Sequence, residues 1–240
     1  MTEKFDPAVL VPEALERIRP VIRRTILDPS PYYSQLSGAE VTFKCENLQH
    51  TGSFKARGAL NKILSLSAAE RNRGIVTAST GNHGAACAFA MRQVGAWGLV
   101  FVPEIAEETK LAAIRRLGAE IRTVGTDSVE SERVARAYAE EQDMTYVPPY
   151  NDPLVIAGQG TIAVELLEQL PDLDAVFISV GGGGLIGGIA SYLKQVKPQV
   201  QVFGCSPRNS QVMALSVEAG QLLDLPSLPT LSDGTAGGVE

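Results

Sequence analysis

Short apolar runs alternate along the chain with segments that show helical periodicity. The runs that predict β-strands are 74–78, 97–102, 120–124, 145–147, 175–180 and 201–204. Between them, segments such as 110–117 place apolar residues on one helical face, here Leu111 and Ile114, and Gly118 follows where a helix would end. Strands and helices that alternate in this way are typical of an α/β fold built around a parallel sheet.

The alternation is interrupted at Pro148-Pro149, and this break predicts a boundary between two α/β lobes. After the break the pattern resumes with a predicted helix around 162–170. Near the N-terminus the pattern predicts a helix over 12–19, entered through Pro12. The last stretch, 226–240, is rich in Pro, Gly, Ser and Thr, and we expect it to stop before its element of structure is complete.

Composition narrows the class of protein. The chain has 240 residues, a hydrophobic fraction of 45% and a formal net charge of −6, so it can bury a core. It has no run of basic residues for nucleic acid or an anionic membrane, and neither is expected as a partner. The N-terminus lacks the basic-then-apolar pattern of a secretory leader, so we expect a cytoplasmic protein.

Cysteine and histidine are too few and too scattered for the usual metal or disulfide frameworks. Cys45, Cys87 and Cys205 form no Cys-x-x-Cys pair, and their odd number argues against a disulfide scaffold. The two histidines, His50 and His83, are far apart in sequence. No histidine-based metal site is therefore predicted.

Four consecutive glycines, 181–184, lie between a predicted strand and a predicted helix. Backbone amides at a helix N-terminus, with no Cβ to block approach, can bind a phosphate group that the helix dipole also attracts. A tight strand-to-helix turn is the alternative. Gly182, Gly184 and Gly187 also match the dinucleotide fingerprint, but the next strand does not end in the acidic residue that would hold a ribose. Phosphate is therefore a better prediction than NAD.

A second motif, Thr-Gly-Ser-Phe-Lys-Ala-Arg-Gly at 51–58, precedes a predicted helix. Ser53 is expected to cap this helix and to place Lys55 in its first turn, where the helix dipole would lower the pKa of the amine. A lysine nucleophile needs such a shift, because only the neutral amine attacks a carbonyl. A solvated lysine on a surface helix is the alternative.

A third motif, Ser-Thr-Gly-Asn-His-Gly at 79–84, again joins a predicted strand to a predicted helix. Its hydroxyls, its amide and its free N–H groups suit a carboxylate or a ring oxygen. The alternative is structural, with Asn82 as the helix cap and His83 packed locally.

Taken together, the three motifs resemble those of fold-type II pyridoxal phosphate (PLP) enzymes, the tryptophan synthase beta-like group. The resemblance is narrower still to the threonine/serine dehydratases and the serine racemases. It implies a two-domain α/β homodimer. A small substrate domain, 66–146, would be inserted into a large cofactor-binding domain formed by 1–65 and 147–240, with PLP between them.

The resemblance also implies a role for each motif. Lys55 would be the Schiff-base lysine and would later remove the α-proton of a small amino-acid substrate. The implied contacts of PLP are Phe54, Lys55, Asn82, Gly181, Gly182, Gly183, Gly184 and Leu185. The loop for the substrate carboxylate would be Ser79, Thr80, Gly81 and His83. The implied reaction converts L-threonine or L-serine to a 2-keto acid and ammonia.

Two departures from the family pattern matter. The relatives that need a divalent cation have an acidic residue at each of the positions occupied here by Ser206 and Val212, so no metal is expected. The residue that faces the pyridine nitrogen in the relatives would lie beyond Glu240.

The resemblance leaves more than one function open. Racemases carry a serine where this chain has Thr80, so racemization ranks second to dehydration. A nicotinamide oxidoreductase and a non-catalytic fragment remain as weaker alternatives.

Overall fold

The computed structural model describes residues 5–126 and 128–239. Its α-helices are α1 (Pro7–Ile18), α2 (Pro31–Ser37), α3 (Lys55–Ser65), α4 (Ala68–Arg73), α5 (Asn82–Val94), α6 (Glu108–Arg116), α7 (Ser128–Glu141), α8 (Pro153–Gln169), α9 (Gly184–Val196) and α10 (Val212–Ala219). Its strands are β1 (Leu27–Pro29), β2 (Thr42–Lys44), β3 (Ile75–Ala78), β4 (Gly98–Val102), β5 (Glu120–Thr123), β6 (Thr145–Tyr146), β7 (Ala175–Ser179) and β8 (Gln201–Cys205). Short 3-10 helices occur at Glu46–Leu48 and Asp233–Thr235.

The strands form a parallel four-stranded sheet, a parallel pair and an antiparallel pair. The four-stranded sheet has the order β5-β4-β3-β6, with Ile75 of β3 opposite Gly98 of β4. Strands β7 and β8 pair in parallel, and β1 pairs with β2 in antiparallel fashion. The predicted α/β architecture is confirmed, and each of the six predicted strands is found with ends that differ by no more than about one residue.

The two central strands of the larger sheet are fully buried, and helices cover them. Every residue of β3 and of β4 is buried. Apolar residues of α3 and α5 pack against this sheet, among them Leu60, Ile63 and Met91. A parallel strand that is buried on both faces reads as a continuous apolar run, which explains why the sequence predicted these strands well.

Helix α1 begins earlier than the sequence predicted. Asp6 accepts a hydrogen bond from the backbone N–H of Ala8 at 3.1 Å, and Pro7 occupies the first helical position. Pro12 therefore lies inside the helix, and the prediction that Pro12 opens it was wrong. A proline suits a first turn, and here two prolines compete for that position, of which only Pro7 follows a capping side chain.

Helix α8 also begins before the predicted start at residue 162. Asp152 caps it by accepting hydrogen bonds from the N–H groups of Leu154 and Val155. Its first half contains glycines that weaken the helical signal, but these glycines allow α8 to approach α3 closely. A Cβ on Gly158 would lie 2.6 Å from the Cα of Gly58. The packing therefore fixes the helix that carries Lys55 against α8.

The helices do not have the character of membrane spans. Within 5–126 and 128–239, no helix combines the length and the apolar character that a membrane crossing requires.

The four-stranded sheet lies inside 66–146, the stretch expected to form the small domain, and the β7–β8 pair lies outside it. The exact domain limits remain a prediction.

Candidate active site

Lys55 is the first residue of α3, and its amine contacts a distant part of the chain. The Nζ donates a hydrogen bond to the carbonyl oxygen of Pro149 at 2.7 Å. It also lies 5.5 Å from the centroid of the Phe54 ring. Burial lowers the pKa of Lys55 to about 8, so a large share of the amine is neutral near that pH. The alternative of a solvated surface lysine is therefore not supported.

The start of α3 differs from the sequence prediction in one respect. Phe54, already in the right-handed helical conformation, takes the N-cap position, and no side chain caps the helix. The Ser53 hydroxyl is buried and has no hydrogen-bond partner among the described residues. The prediction that Ser53 caps α3 was wrong. The low pKa of Lys55 comes from burial.

The glycine loop joins β7 to α9. Gly183 has a φ of 86°, in the left-handed region, and forms the N-cap of α9. The N–H groups of the first helical turn after Gly183 have no acceptor within the helix, so they can bind an anion. A Cβ on Gly184 would lie 2.9 Å from the Cβ of Tyr150, and a Cβ on Gly182 would overlap the Tyr150 ring. These positions therefore admit only glycine, because the Tyr150 side chain packs directly against the loop.

The loop before α5 is also tight. The N–H of Gly81 donates to the Ser79 hydroxyl at 3.2 Å, and a Cβ on Gly84 would overlap the Ser79 carbonyl oxygen. Gly81 is the N-cap of α5, and Asn82 is the first residue of the helix and is exposed. The structural alternative for Asn82, a helix cap, is therefore wrong. Its side chain can contact a bound molecule, and Thr80 is partly exposed beside it.

His83 is buried beneath this loop. Its ring donates from Nε2 to the carbonyl oxygen of Val147 at 3.0 Å, and Cys87 Sγ lies 3.5 Å from the same nitrogen. Burial lowers the pKa of His83 to about 3, so the ring stays neutral at physiological pH. His83 supports the loop from inside through these contacts, and a direct contact with substrate remains a prediction.

The three motifs meet at one short segment, 147–150, that follows strand β6. Its Val147 carbonyl accepts a hydrogen bond from the Thr77 hydroxyl of β3 at 2.9 Å, in addition to the one from His83. Its Pro149 carbonyl accepts a hydrogen bond from the Lys55 amine, and its Tyr150 side chain packs against the glycine loop. From the sequence, the two prolines of this segment indicated only a lobe boundary. The signal that could have revealed more was a rigid Pro-Pro pair close behind a predicted strand.

A cavity of about 600 Å³ opens beside the glycine loop. Its walls include Gly182, Gly183 and Tyr150 together with Met213 and Ser206. Lys55 and Asn82 are not among its lining residues, so this cavity adjoins the glycine loop alone and does not by itself join the three motifs.

Ser206 and Val212 stand where the cation-dependent relatives have acidic residues, and neither of them offers a carboxylate. The Ser206 hydroxyl donates to the Val180 carbonyl oxygen at 3.3 Å, and Val212 is buried. In the part of the chain that the structure describes, no group of three or more histidine, cysteine, aspartate or glutamate residues could hold a metal ion.

An amine of low pKa, a glycine loop at a helix N-terminus and a polar turn after a parallel strand are the features expected of a pyridoxal-phosphate enzyme. The family model of pyridoxal-phosphate dependent enzymes matches residues 18–240. The chain belongs to this family, and the predicted cofactor is confirmed. The nicotinamide alternative is not supported.

Within this family the chain is similar to enzymes that act on amino acids. It is 40% identical to the L-threonine ammonia-lyase of Geobacter sulfurreducens over 96% of this chain and 57% of that protein. It is 38% identical to the serine racemase of Arabidopsis thaliana over 97% of this chain and 70% of that protein. The structure of maize serine racemase matches with a TM-score of 0.94 and 33% identity, over 99% of this chain and 72% of that one.

These matches confirm the fold-type II prediction. The chain spans only part of the length of the relatives it matches, and for the Geobacter enzyme this share is 57%.

Proposed function

We propose that the protein is a PLP-dependent ammonia-lyase that converts L-threonine or L-serine to a 2-keto acid and ammonia. The observation that carries the proposal is the Lys55 amine, which belongs to a partly buried side chain, has a pKa of about 8 and lies where the three motifs meet. The similarity to an L-threonine ammonia-lyase supports the choice of reaction. By the same resemblance, we propose a cytoplasmic homodimer.

The residues of the site fit PLP on the chemistry of their donors. A dianionic phosphate suits the N–H groups at the N-terminus of α9, which have no acceptor within the helix and lie where the helix dipole is positive. An aldehyde suits Lys55, whose neutral amine can bond to it covalently. Phe54 offers an aromatic face beside this amine. Asn82, exposed at the start of α5, offers an amide for the ring hydroxyl of the cofactor.

Bound PLP supplies an electron sink for the charge that develops when an amino acid loses its α-proton. Lys55 is the residue of this chain that would take that proton at Nζ. Its lowered pKa keeps much of the amine unprotonated near pH 8, which a general base requires. The Pro149 carbonyl is an acceptor that orients the amine when it is not bonded to another group.

The loop before α5 would bind the substrate carboxylate. The N–H groups of its first helical turn have no acceptor within the helix, and Ser79 and Thr80 add hydroxyls beside them. The buried ring of His83 ties this loop to Val147, so the loop is fixed relative to the segment that holds Lys55. These contacts would exclude alternative substrate orientations.

The test uses the protein expressed from its complete gene. In the purified wild-type protein, borohydride should fix PLP to the peptide that contains Lys55, and Lys55→Ala should lose the visible absorbance of bound cofactor. L-Threonine should yield 2-oxobutanoate with wild type and not with the variant. Lys62→Ala, in the same helix, is the control and should behave like wild type. Labelling of Lys44 or Lys62 in place of Lys55 would overturn the assignment.

A second candidate, a serine racemase, is favoured by the TM-score of 0.94 against the maize enzyme. A racemase needs an acid on the face of the substrate opposite Lys55. Thr80 is the hydroxyl proposed for that face, and its extra methyl group makes it more hindered than the serine of the racemases. The ratio of D-serine to pyruvate formed from L-serine separates the two functions.

A further inference from the structure

A fully buried arginine lies two residues after the proposed catalytic lysine. The side chain of Arg57 has no exposed surface, which is rare for arginine. Side chains two residues apart on an α-helix point about 200° apart around its axis. Arg57 therefore points to the face of α3 opposite Lys55, toward α8 and the 3-10 helix Glu46–Leu48.

Two carboxylates hold the Arg57 guanidinium, each through two hydrogen bonds. Its Nε and Nη2 donate to the two oxygens of Glu46 at 2.8 and 2.7 Å. Its Nη1 and Nη2 donate to the two oxygens of Glu165 at 2.7 and 3.0 Å. Nη1 also donates to the Thr161 hydroxyl at 3.2 Å. All three nitrogens are bonded, and the bidentate pairs fix both the position and the plane of the group.

A second cation completes this buried cluster. Lys44 of β2 donates to Glu165 at 2.5 Å and to the carbonyl oxygen of Thr25 at 2.8 Å. Burial acts against the charge on Arg57, but its hydrogen bonds to Glu46 and Glu165 raise its pKa above the ordinary value. The cluster of Arg57, Lys44, Glu46 and Glu165 thus contains two cations and two anions and carries no net charge.

At the start of α3, Arg57 adds charge-assisted hydrogen bonds to the close packing of Gly58 on Gly158. No side chain caps the helix there, and Lys55 is its first residue. We propose that Arg57 is a positioning residue that fixes the first turn of α3, and with it the Lys55 amine, at the point where the cofactor aldehyde is bound. This inference rests on the proposed role of Lys55.

Stability alone is a poor explanation for such a cluster. Burying charges costs solvation, and replacing a buried ion network by apolar groups is often neutral or stabilising. A planar guanidinium bound by two carboxylates supplies a defined geometry, which an apolar contact does not. The contacts of Arg57 also join α3, α8 and Glu46–Leu48, so they set the location of the helix end from two directions.

The experiment follows covalent capture of PLP in apoprotein by absorbance, with borohydride and peptide mapping to confirm the site. Arg57→Lys keeps the charge but cannot form two bidentate pairs. We expect capture by Lys55 to slow by at least about ten-fold, and kcat to fall by a similar factor with KM within about two-fold. The pH midpoint of capture should stay at the wild-type value, because the cluster is neutral with either residue.

The matched control is Lys62→Met. Lys62 joins the same helix to the start of α8 through Asp152, with Nζ and Oδ2 2.7 Å apart, but it lies two turns away from Lys55. This variant should capture PLP within about two-fold of the wild-type rate even if its melting temperature falls as far as that of Arg57→Lys. Equal slowing in both variants would mean a general loss of packing and would overturn the positioning role.

Glu46→Asp covers the case in which Arg57→Lys does not fold. It keeps the carboxylate and shortens its reach, so capture should slow by at least about three-fold. Capture at the wild-type rate in whichever Arg57 or Glu46 variant folds overturns the inference while leaving the proposed function intact. If wild type captures no PLP at Lys55, the proposed function and this inference fail together.

Discussion

The glycine loop provides the most direct test of cofactor binding. Gly183→Asp adds a side chain with a carboxylate at the N-cap of α9. The nearest neighbour of a Cβ at this position is the mobile end of Met213, at 3.0 Å, so steric conflict is modest. A left-handed residue costs an L side chain ~1–2 kcal/mol, and less for aspartate, which tolerates this conformation better than most residues. Strain alone would therefore leave a folded protein.

The larger effect is electrostatic. A carboxylate roughly 5 Å from a phosphate dianion is repelled by ~1.7 kcal/mol even with the dielectric constant of water, and by more inside a protein. A loss of about 1.4 kcal/mol is ten-fold in affinity, so the dissociation constant for PLP should rise by at least about 15-fold.

Gly95→Asp is the matched control. Gly95 also has a left-handed backbone, with a φ of 66°, and no described atom lies within 4 Å of a Cβ built there. It ends α5, where the helix dipole disfavours a negative charge, whereas Gly183 begins α9, where the dipole favours one. The apoprotein of Gly183→Asp should therefore resist urea better than that of Gly95→Asp. PLP affinity should show the opposite order.

The assays are urea unfolding of each apoprotein and titration with PLP. PLP should raise the melting temperature of wild type and of Gly95→Asp, because a ligand stabilises the state that binds it, and should have little effect on Gly183→Asp. If Gly183→Asp binds PLP as tightly as the control, the phosphate does not lie at this loop, and the assignment of Gly181–Leu185 is wrong.

Three further predictions concern Lys55, Thr80 and the effect of magnesium. Lys55→Met should raise the free energy of unfolding of the apoprotein at pH 7, because burial lowers the folded-state pKa of this lysine from an ordinary 10.5 to about 8. In urea unfolding at a series of pH values, this gain should shrink between pH 8 and pH 10.5 and vanish above pH 10.5. Thr80→Ser should raise the share of D-serine relative to pyruvate from L-serine, and an unchanged product ratio would remove Thr80 from the proton path. Magnesium should leave the melting temperature unchanged, since Ser206 and Val212 offer no carboxylate; a clear rise would contradict this interpretation.

The strands were predictable from the sequence because their burial is a local pattern. Each residue of β3 and β4 is buried, so a continuous apolar run marks them without knowledge of any partner. The glycine loop was predictable for a similar reason. Consecutive glycines between a strand and a helix strongly favour a turn with an accessible backbone, and the residues that form this turn are adjacent in sequence.

Helix ends were less predictable, because several residues compete for one position. At the start of α1 both Pro7 and Pro12 suit a first turn, and Asp6 decides between them through one hydrogen bond. At the start of α8 the glycines that permit close packing on α3 hide the helical pattern. In each case the deciding contact is a side chain or a second helix that periodicity does not reveal.

Contacts between distant residues could not be predicted at all. The Lys55 amine and its Pro149 acceptor are 94 positions apart in sequence, and Arg57 reaches Glu165 across 108 positions. Both partners were visible in the sequence, but no local rule pairs them. The same limit applies to Tyr150, whose packing against the glycine loop is visible only in the folded chain.

The lowered pKa of Lys55 shows how a correct prediction can rest on the wrong cause. The sequence attributes the shift to a Ser53 cap and the helix dipole, whereas the cap is absent and burial of the amine is the main cause. The nearby Cys87 thiol acts in the opposite direction, toward a higher pKa. The amine therefore owes its lowered pKa to the segments that pack around it. A substitution that opens the 147–150 segment to water should raise the pKa of Lys55, even though it leaves the sequence around the lysine intact.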